Sequence, residues 1–477
     1  MSTLKINTPL RFSRFLHVVD LENGLSGFYN ALNQAVIYVS SDFALALQHE
    51  PQPFTVNKLW VTLGKGDKKL LKGLLRQMWR LKMLLEPEEN EMGDVEMLRK
   101  YLEQPDIAIM YLLVTDACNI ACGYCYFEGG IPEGYQTSLM SLETAKKSVD
   151  LFARVYSRQF VKEHKERPHI IFYGGEPIMN WPVVEGTLKY VASLIKSGVL
   201  PKNTQITLNT NGMLITPEIA KVLIRHKVSI AISLDGPKCL HDKMRVDHVG
   251  EGTYDRVMPK IEMLRQMGAR IGTCCTIDSH NIDQMEEVTR WLIEDAHFDS
   301  LGFNTLLEST ARPIPNPEEY GEKVAQKLVS CFQIARSYGV HEDRFMRKVR
   351  AFVEGDFFFA DCGGCGMQLA VAPNGEVGTC QGFCGTREYF VKPDIDFDPR
   401  THPYWKEWRR RSPINMEQCL DCIALANCGG GCPHNSAIKE GNIWELDRVF
   451  CRHSIYAVKF LIKDLYEQHL VTAAQQS

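Results

Sequence analysis

The sequence predicts an α/β protein built on a parallel sheet, with a small α+β domain before it and a cysteine-rich domain after it. Three observations support this prediction. Short apolar strands alternate with helical segments between residues 104 and 310, residues 1–100 contain no clustered cysteine, and residues 361–477 are rich in glycine and cysteine. A chain of 477 residues is also too long for one ordinary core, so two or three domains are expected.

The first hundred residues combine a strand pattern with helical patterns. The apolar run 35–39 predicts a strand, and Ser40 is placed to cap the helix that follows. A basic amphipathic stretch, 68–85, predicts a further helix, and the acidic stretch 86–91 ends the segment as a polar linker. We therefore expect a small α+β domain over 1–100. Its basic helix suits an acidic peptide or partner, and a solvated helix face explains the same charges.

Six apolar segments in the middle of the chain predict buried strands, each followed by a helical segment. The strands are expected at 107–114, 170–173, 206–208, 228–234, 271–277 and 301–303. Thr216, followed by Pro217, marks the start of one of the helices. Six β/α units predict a parallel sheet whose chemistry lies at the carboxyl ends of its strands. Residues 311–360 predict a helical connection to the region that begins at 361.

The composition restricts the class of protein. Hydrophobic residues make up 45% and charged residues 23%, which is typical of a globular protein, and the net charge of −4 gives no basic surface for nucleic acid or an acidic membrane. No apolar run approaches the roughly 20 residues that span a bilayer, and the first residues lack the apolar core of a secretory signal. We therefore expect a cytoplasmic protein whose 16 cysteines are metal ligands rather than disulfides.

Three cysteines follow the first predicted strand directly. Cys118, Cys122 and Cys125 are spaced so that one short loop could donate three thiolates to a 4Fe–4S cluster. Three ligands leave one iron open to bind another molecule, whereas four would make an electron carrier. The alternative is a zinc site on the same three cysteines, completed by a distant residue.

The C-x3-C-x2-C loop, with an aromatic residue before its last cysteine, resembles the signature of the radical S-adenosylmethionine (SAM) superfamily. A GGEP-like segment after the second strand, an Asn-Gly pair after the third and Ser-Leu-Asp-Gly-Pro after the fourth fit the same family in the same order. The resemblance implies a partial (β/α)6 TIM-type barrel that binds SAM on the open iron and forms a 5′-deoxyadenosyl radical. Arg245 would pair with the SAM carboxylate. The residues implied for SAM binding are Gly174, Gly175, Glu176, Asn211, Ser233, Asp235 and Arg245.

The C-terminal cysteines resemble, in their spacing, the SPASM extension of radical SAM enzymes that modify peptides. That extension holds two auxiliary 4Fe–4S clusters, which would bring the total to three. By position, auxiliary cluster I would take Cys362, Cys365, Cys380 and Cys432, and auxiliary cluster II would take Cys419, Cys422, Cys428 and Cys451. Cys384 could replace Cys362 as the eighth ligand. Two structural zinc sites are the alternative for the whole array, since four thiolates also suit zinc.

The resemblance implies a maturase that acts on a ribosomally made peptide or on a protein side chain. Auxiliary clusters favour net oxidation, such as a thioether or carbon–carbon crosslink, with electrons from a small donor such as flavodoxin or ferredoxin. Asp278 follows the fifth strand at the rim and could act as the base. A surface turn over 278–281, with Asn281 capping a helix, is the plainer explanation of this residue. In this family, residues 1–100 would form a peptide-recognition element.

Two other functions remain open on the sequence. An enzyme of the sulfatase-maturating type, which forms formylglycine, shares the motifs without needing a hundred-residue front segment. A protein without enzymatic activity, either an iron–sulfur electron carrier or a zinc scaffold, would use the cysteines differently. The remaining cysteines are expected to be buried free thiols that pack like small apolar side chains; they are Cys239, Cys274, Cys275 and Cys331.

Overall fold

A computed structural model describes residues 4–158 and 167–476 of the chain. Residues 1–3 of the expected N-terminal domain, segment 159–166 of the expected barrel and residue 477 lie outside the described residues. Within the described ranges, no helix has the length and apolar character needed to cross a membrane. The α/β fold expected from the sequence is confirmed.

The N-terminal region contains a three-stranded antiparallel sheet, a two-stranded sheet and four helices. Its elements are β1 Arg11–Phe12, β2 Leu16–Asp20, β3 Leu25–Asn30, β4 Val36–Ser40, α1 Ser41–Gln48, α2 Val56–Thr62, α3 Lys68–Arg80, β5 Leu84–Leu85 and α4 Met92–Lys100. Ser40 accepts a hydrogen bond from the backbone N–H of Phe43, so the expected N-cap is confirmed. Strands β2, β3 and β4 are adjacent in that order.

The basic helix is shorter than expected. The sequence predicts a helix over 68–85, but α3 ends at Arg80. Lys82 adopts a left-handed φ of 54°, and Leu84 and Leu85 then pair with β1 as strand β5. A left-handed residue stops the helical hydrogen-bond ladder, and two apolar leucines suit a buried strand equally well.

A curved parallel sheet forms the centre of the molecule. Its elements are β6 Ile109–Thr115, α5 Tyr126–Gly129, α6 Leu142–Arg158, β7 His169–Gly174, α7 Trp181–Lys196, β8 Gln205–Thr210, α8 Pro217–Arg225, β9 Ser229–Ser233, α9 Lys238–Met244, α10 Tyr254–Gln266, β10 Ile271–Ile277, α11 Met285–Glu294 and β11 Ser300–Thr305. All six expected strands are present, and β6 to β11 are neighbours in chain order. The largest apolar core lies between this sheet and its helices.

The face of the sheet opposite the helices, called the concave side below, carries the half-buried residues. Along β10, buried and half-buried residues alternate, and the buried ones belong to the core beneath the helices. Because successive side chains of a strand point to opposite faces, Cys274 and Thr276 face the concave side. Cys274 is thus half-buried, and Cys239 is exposed, so both differ from the expected buried thiols. Cys275 and Cys331 are buried as expected.

The C-terminal region continues the same sheet. Its elements are α12 Pro317–Ser337, β12 His341–Glu342, α13 Asp343–Glu354, β13 Gln368–Val371, β14 Val377–Gly378, β15 Phe390–Val391, α14 Pro403–Arg410, α15 Leu425–Cys428, α16 Pro433–Glu440 and α17 Arg448–Gln476. Strand β13 pairs in parallel with β6, so the ten-stranded sheet runs across residue 361. Gly321 lets α12 approach α17 closely, because a Cβ there would lie 2.9 Å from Cα of Val449.

Candidate functional site

The loop that carries the cysteine triplet lies at the carboxyl end of β6. Backbone N–H groups of Ala121 and Gly123 donate to carbonyls of Val246 and Met244, both at 2.8 Å, which fixes the loop against the end of α9. Cys125 caps α5 and accepts from the N–H of Glu128. The three thiols lie close enough for Cys122 and Cys125 to raise the pKa of Cys118 after burial, which brings that pKa to about 12. Deprotonated thiols there need a bound cation, as metal ligation provides.

Gly174 and Gly175 bring the end of β7 onto this loop. A Cβ on Gly174 would lie 2.0 Å from the carbonyl oxygen of Thr115, and one on Gly175 would lie 2.1 Å from that of Ala117. Both carbonyls accept hydrogen bonds instead, from the N–H groups of Gly175 (3.0 Å) and Glu176 (2.9 Å). Only glycine permits this approach, so the two motifs are locked together.

Glu176 holds the next strand in place. Its buried carboxylate accepts from the N–H of Ile178 (3.0 Å), the hydroxyl of Thr210 (2.8 Å) and the N–H of Asn211 (2.7 Å). Burial raises the pKa of Glu176 to about 7, against the lowering effect of these three donors. The Asn211 side chain donates in turn to Asn119 of the cysteine loop at 2.8 Å. Glu176 and Asn211 therefore join the ends of β7 and β8 to the cysteine loop. Both oxygens of the Glu176 carboxylate accept hydrogen bonds from the protein.

A buried ion pair closes the opposite side of the cysteine loop. Asp235 is 1% exposed and accepts from Arg245 Nε (2.8 Å) and Nη2 (3.3 Å), Tyr124 Oη (2.5 Å) and the N–H of Thr276 (2.9 Å). Arg245 also reaches the Cys122 thiol at 3.8 Å. The sequence predicts that the Arg245 fork pairs with the SAM carboxylate, whereas in this structure Asp235 accepts from two of its nitrogens. Ser233 ends β9 beside Cys274 of β10, on the concave side.

Asp278 lies in a tight turn at the carboxyl end of β10. Its carboxylate is buried and accepts from the N–H of His280 at 2.6 Å and from its Nδ1 at 3.2 Å. Burial raises the pKa of Asp278, which makes it a stronger proton acceptor than an exposed aspartate. The Asn281 side chain accepts from the N–H of Asp278 and makes no cap hydrogen bond to the following helix, so the expected cap is wrong.

The C-terminal cysteines gather into two groups. In the first, burial raises the pKa of Cys380, and the thiols of Cys362 and Cys365 raise it further. Cys432 belongs with them, because Cys362 and Cys380 raise its pKa in addition to burial and Asp447. The second group is Cys419, Cys422, Cys428 and Cys451, and the other three thiols raise the pKa of Cys451 after burial.

Cys384 lies apart from both groups. It packs in a small apolar cluster with Leu113, Phe127 and Ala372, and the Arg387 guanidinium donates to its thiol. Burial raises the pKa of Cys384 to about 11, while Arg387 lowers it and no other cysteine is among its main influences. The structure therefore brings Cys362, and not Cys384, to the first group.

The spacing and number of the thiols bear on the kind of metal group that the two C-terminal groups could hold. A zinc ion needs its thiolates about 2.3 Å from one point. Across residues 4–158 and 167–476, no three His, Cys, Asp or Glu side chains converge closely enough to hold one metal ion. Each group does offer four thiols in a buried setting, which is the donor set of a cluster with several irons.

Tyrosines connect the triplet to the first C-terminal group, a feature absent from the predictions made on the sequence. Tyr126 follows Cys125 directly, and its hydroxyl lies 3.2 Å from that of Tyr173. The Tyr173 ring lies 5.5 Å from that of Tyr111, whose pKa is raised by burial and then by Cys362. The two-residue period of β6 and β7 was the available signal, because it places Tyr111 and Tyr173 on the concave side.

Comparison with known proteins agrees with this geometry. Residues 112–292 match the family described as the Radical SAM superfamily. The radical SAM cyclopropyl synthase TigE of Paramaledivibacter caminithermalis is 21% identical, over 96% of this chain and 96% of its own. A cysteine-type anaerobic sulfatase-maturating enzyme of Clostridium perfringens is 22% identical, over 72% and 93%.

Solved structures share the fold. Native anSMEcpe with bound AdoMet has a TM-score of 0.60 at 19% identity and covers 78% of this chain and all of its own. Streptococcus suis SuiB bound to S-adenosylmethionine has a TM-score of 0.53 at 15% identity, covering 93% and 98%. The SuiB match extends over the N-terminal domain as well as the sheet and the C-terminal region.

Proposed function

We propose that this chain, as a radical SAM enzyme with a cysteine-rich extension of the SPASM type, oxidises its substrate. The substrate would be a side chain of a peptide or protein. The observation that carries the proposal is that one fold holds a three-thiol loop at the end of β6 and two four-thiol groups, the first of which flanks the sheet strands β13 and β14. A three-thiol cluster keeps an open iron for SAM, and the four-thiol groups suit clusters that only exchange electrons. An oxidation needs such an electron acceptor near its radical.

The residues fit the groups that the family implies. Cys118, Cys122 and Cys125 would hold the SAM-binding cluster, and the two C-terminal groups would hold auxiliary clusters I and II. When bound, the first cluster and SAM supply a 5′-deoxyadenosyl radical that removes a hydrogen atom from the substrate. Gly174 and Gly175 expose backbone to the SAM amino group, and Asn211 and Ser233 line the same rim.

The protein's own groups would position SAM and manage the proton. Asp235 holds Arg245 rigidly beside Cys122, so the guanidinium's remaining N–H groups present fixed positive charge to the SAM carboxylate. Asp278 lies at the rim with a raised pKa and would accept the proton that leaves the substrate. The hydrogen atom, the proton and one electron that leave the substrate together equal two hydrogens, so the product is the substrate less two hydrogens.

We further propose a carbon–carbon or thioether bond as the product. A cyclopropyl group requires a new carbon–carbon bond, and the relative named as a cyclopropyl synthase aligns over nearly the whole chain. Formylglycine formation is the second candidate, since sulfatase-maturating enzymes align over 72% of the chain. The substrate would be a ribosomal peptide bound by the N-terminal domain, in the cytoplasm, with flavodoxin or ferredoxin as electron donor.

The proposal is tested with anaerobically reconstituted protein, SAM and a chemical reductant. We expect 5′-deoxyadenosine from the wild type and none from Cys122→Ala. Cys239→Ala is the matched control, because this exposed thiol lies outside all three groups, and it should keep full activity. Cleavage of SAM by Cys122→Ala at the wild-type rate would refute the site, and iron binding without any SAM cleavage would support the electron carrier.

The product separates the two chemistries. Short peptides encoded beside this gene are incubated with the enzyme and examined by mass spectrometry. A loss of two hydrogens without reaction toward hydrazide reagents supports a new bond. A product that reacts with a hydrazide contains an aldehyde and supports formylglycine.

A further inference from the structure

A lysine is buried beside the second C-terminal cysteine group without an anionic partner. Lys348 lies on α13 and is fully buried. Its Nζ donates to the carbonyls of Asn427 (3.1 Å) and Cys428 (3.3 Å) and to the hydroxyl of Ser454 (3.1 Å). Three acceptors use the three N–H bonds of an ammonium, and none of them carries a charge.

The charges around Lys348 do not compensate it. Within the described residues, no carboxylate forms an ion pair with its ammonium. Asp361 is the nearest influential carboxylate, and it is paired with Arg344 at 3.3 Å. Arg344 is itself only 15% exposed, and Arg347 donates to the backbone carbonyl of Asp361 at 2.7 Å. Three cations, Lys348, Arg344 and Arg347, therefore act on this one carboxylate. A buried, uncompensated cation is strongly unfavourable, which implies that an anion belongs next to it.

The second cysteine group would supply that anion when it holds a cluster. Cys428 provides both a thiol of the group and the carbonyl that Lys348 binds. The same helix that carries Cys451 carries Ser454, one turn further on. A 4Fe–4S cluster held by four thiolates has a net negative charge, and one-electron reduction adds one more negative charge without adding a proton. A fixed cation nearby therefore stabilises the reduced state more than the oxidised state.

We propose that Lys348 is the fixed counter-charge of auxiliary cluster II and raises its reduction potential. This inference rests on the proposed function, because it assumes that Cys419, Cys422, Cys428 and Cys451 hold a cluster. The chemistry concerned is the gain of one electron that a cluster held there would undergo, with the reduced donor losing that electron. Lys348 is a positioning residue: its ammonium contacts only protein groups and would act on the reaction through the charge it holds beside the cluster.

The burial of Lys348 distinguishes it from other cations on the same helix. Arg350 is two residues away on α13, but its side chain is 70% exposed and pairs with Glu354. Water and salt screen a charge at that position, whereas a buried charge acts on its neighbours with little screening. Arg350 therefore provides a matched control for removing one positive charge from α13.

The test is a redox titration of the reconstituted holoenzyme, followed by electron paramagnetic resonance. In Lys348→Gln, which keeps N–H donors but loses the charge, the potential of one cluster should become more negative. We expect at least a tenfold change in the equilibrium constant for reduction, which is about 59 mV for one electron. Lys348→Arg, which keeps the charge, and Arg350→Gln should both leave that potential near the wild-type value.

Each outcome decides between the alternatives. Unchanged potentials in Lys348→Gln, or equal shifts in the glutamine and arginine variants, overturn the inference and indicate a purely structural lysine. Lys348→Gln could fail to retain the cluster, and the Lys348→Arg variant then decides. A cluster retained in Lys348→Arg at the wild-type potential supports the inference, and loss of the cluster from Lys348→Arg overturns it. Wild-type protein that binds zinc without iron refutes the proposed function, whereas full iron with no effect at Lys348 refutes this inference alone.

Discussion

Replacing Cys384 by alanine should leave the iron content of the reconstituted protein unchanged, whereas Cys362→Ala should remove one cluster. Three 4Fe–4S clusters contain about twelve irons, so the loss of one ligand set removes about a third of them. Cys362 is close enough to Cys380 to raise its pKa, but Cys384 contacts Arg387 and an apolar cluster. Removing the Cys384 thiol costs only the roughly 1 kcal/mol that is typical of a point substitution.

The assay is iron and sulfide analysis of both variants after identical anaerobic reconstitution. The signal of the SAM-binding cluster serves as an internal reference, because neither variant removes one of its three thiol ligands. Cys362→Ala should keep this signal and lose that of one auxiliary cluster. A Cys384→Ala protein that loses a third of its iron, beside a Cys362→Ala protein that loses none, would show that the grouping of thiols described above is incorrect.

Three further substitutions test the geometry of the site. Gly175→Ala places a Cβ 2.1 Å from the carbonyl oxygen of Ala117 and should weaken SAM binding at least tenfold, as measured by calorimetry. Gly73→Ala is the control, because a Cβ there meets open space, and it should leave SAM binding unchanged. Asp235→Asn strands a buried guanidinium and should lower the free energy of unfolding by about 3–5 kcal/mol; the exposed Asp255→Asn should cost far less, and similar losses would contradict the buried ion pair. Burial lowers the pKa of His241 from 6.5 to about 4, so the stabilising neutral state is complete above pH 6.5 and is lost as the pH falls towards 4, at a cost of about 3 kcal/mol. Thermal midpoints should fall across that window in the wild type and less in His241→Gln; equal slopes would show that His241 is not responsible.

Local patterns made most of the fold accessible from the sequence. The six central strands were recognisable because each is a short apolar run followed by a helix, and such units assemble in one way. The cysteine loop and the glycine pair were recognisable because metal ligation and close backbone approach require those residue types. The ends of helices were harder to predict. The end of α3 at Arg80 depends on the left-handed residue Lys82, which helix propensity alone does not reveal.

Contacts between distant segments were not accessible in the same way. The bond between Asp235 and Arg245 depends on how α9 returns to the sheet, so the sequence could assign the arginine to a ligand equally well. The choice between Cys362 and Cys384 also required tertiary structure. The sequence places Cys362 before Cys380 and Cys384 after it, and chain order alone does not say which thiol packs against Cys380. Lys348 gave no sequence signal at all, because an ordinary amphipathic helix contains lysine at similar positions.

The pairing of β13 with β6 ties the cysteine-rich region to the strand that leads into the cysteine triplet. Strand β6 leads directly into the triplet, and β13 covers its outer edge through four register positions. A fragment ending near residue 360 would leave this strand as an open edge, which invites pairing with another chain. Exchange of C-terminal modules between related enzymes would therefore have to include β13 together with the surface of β6 that receives it.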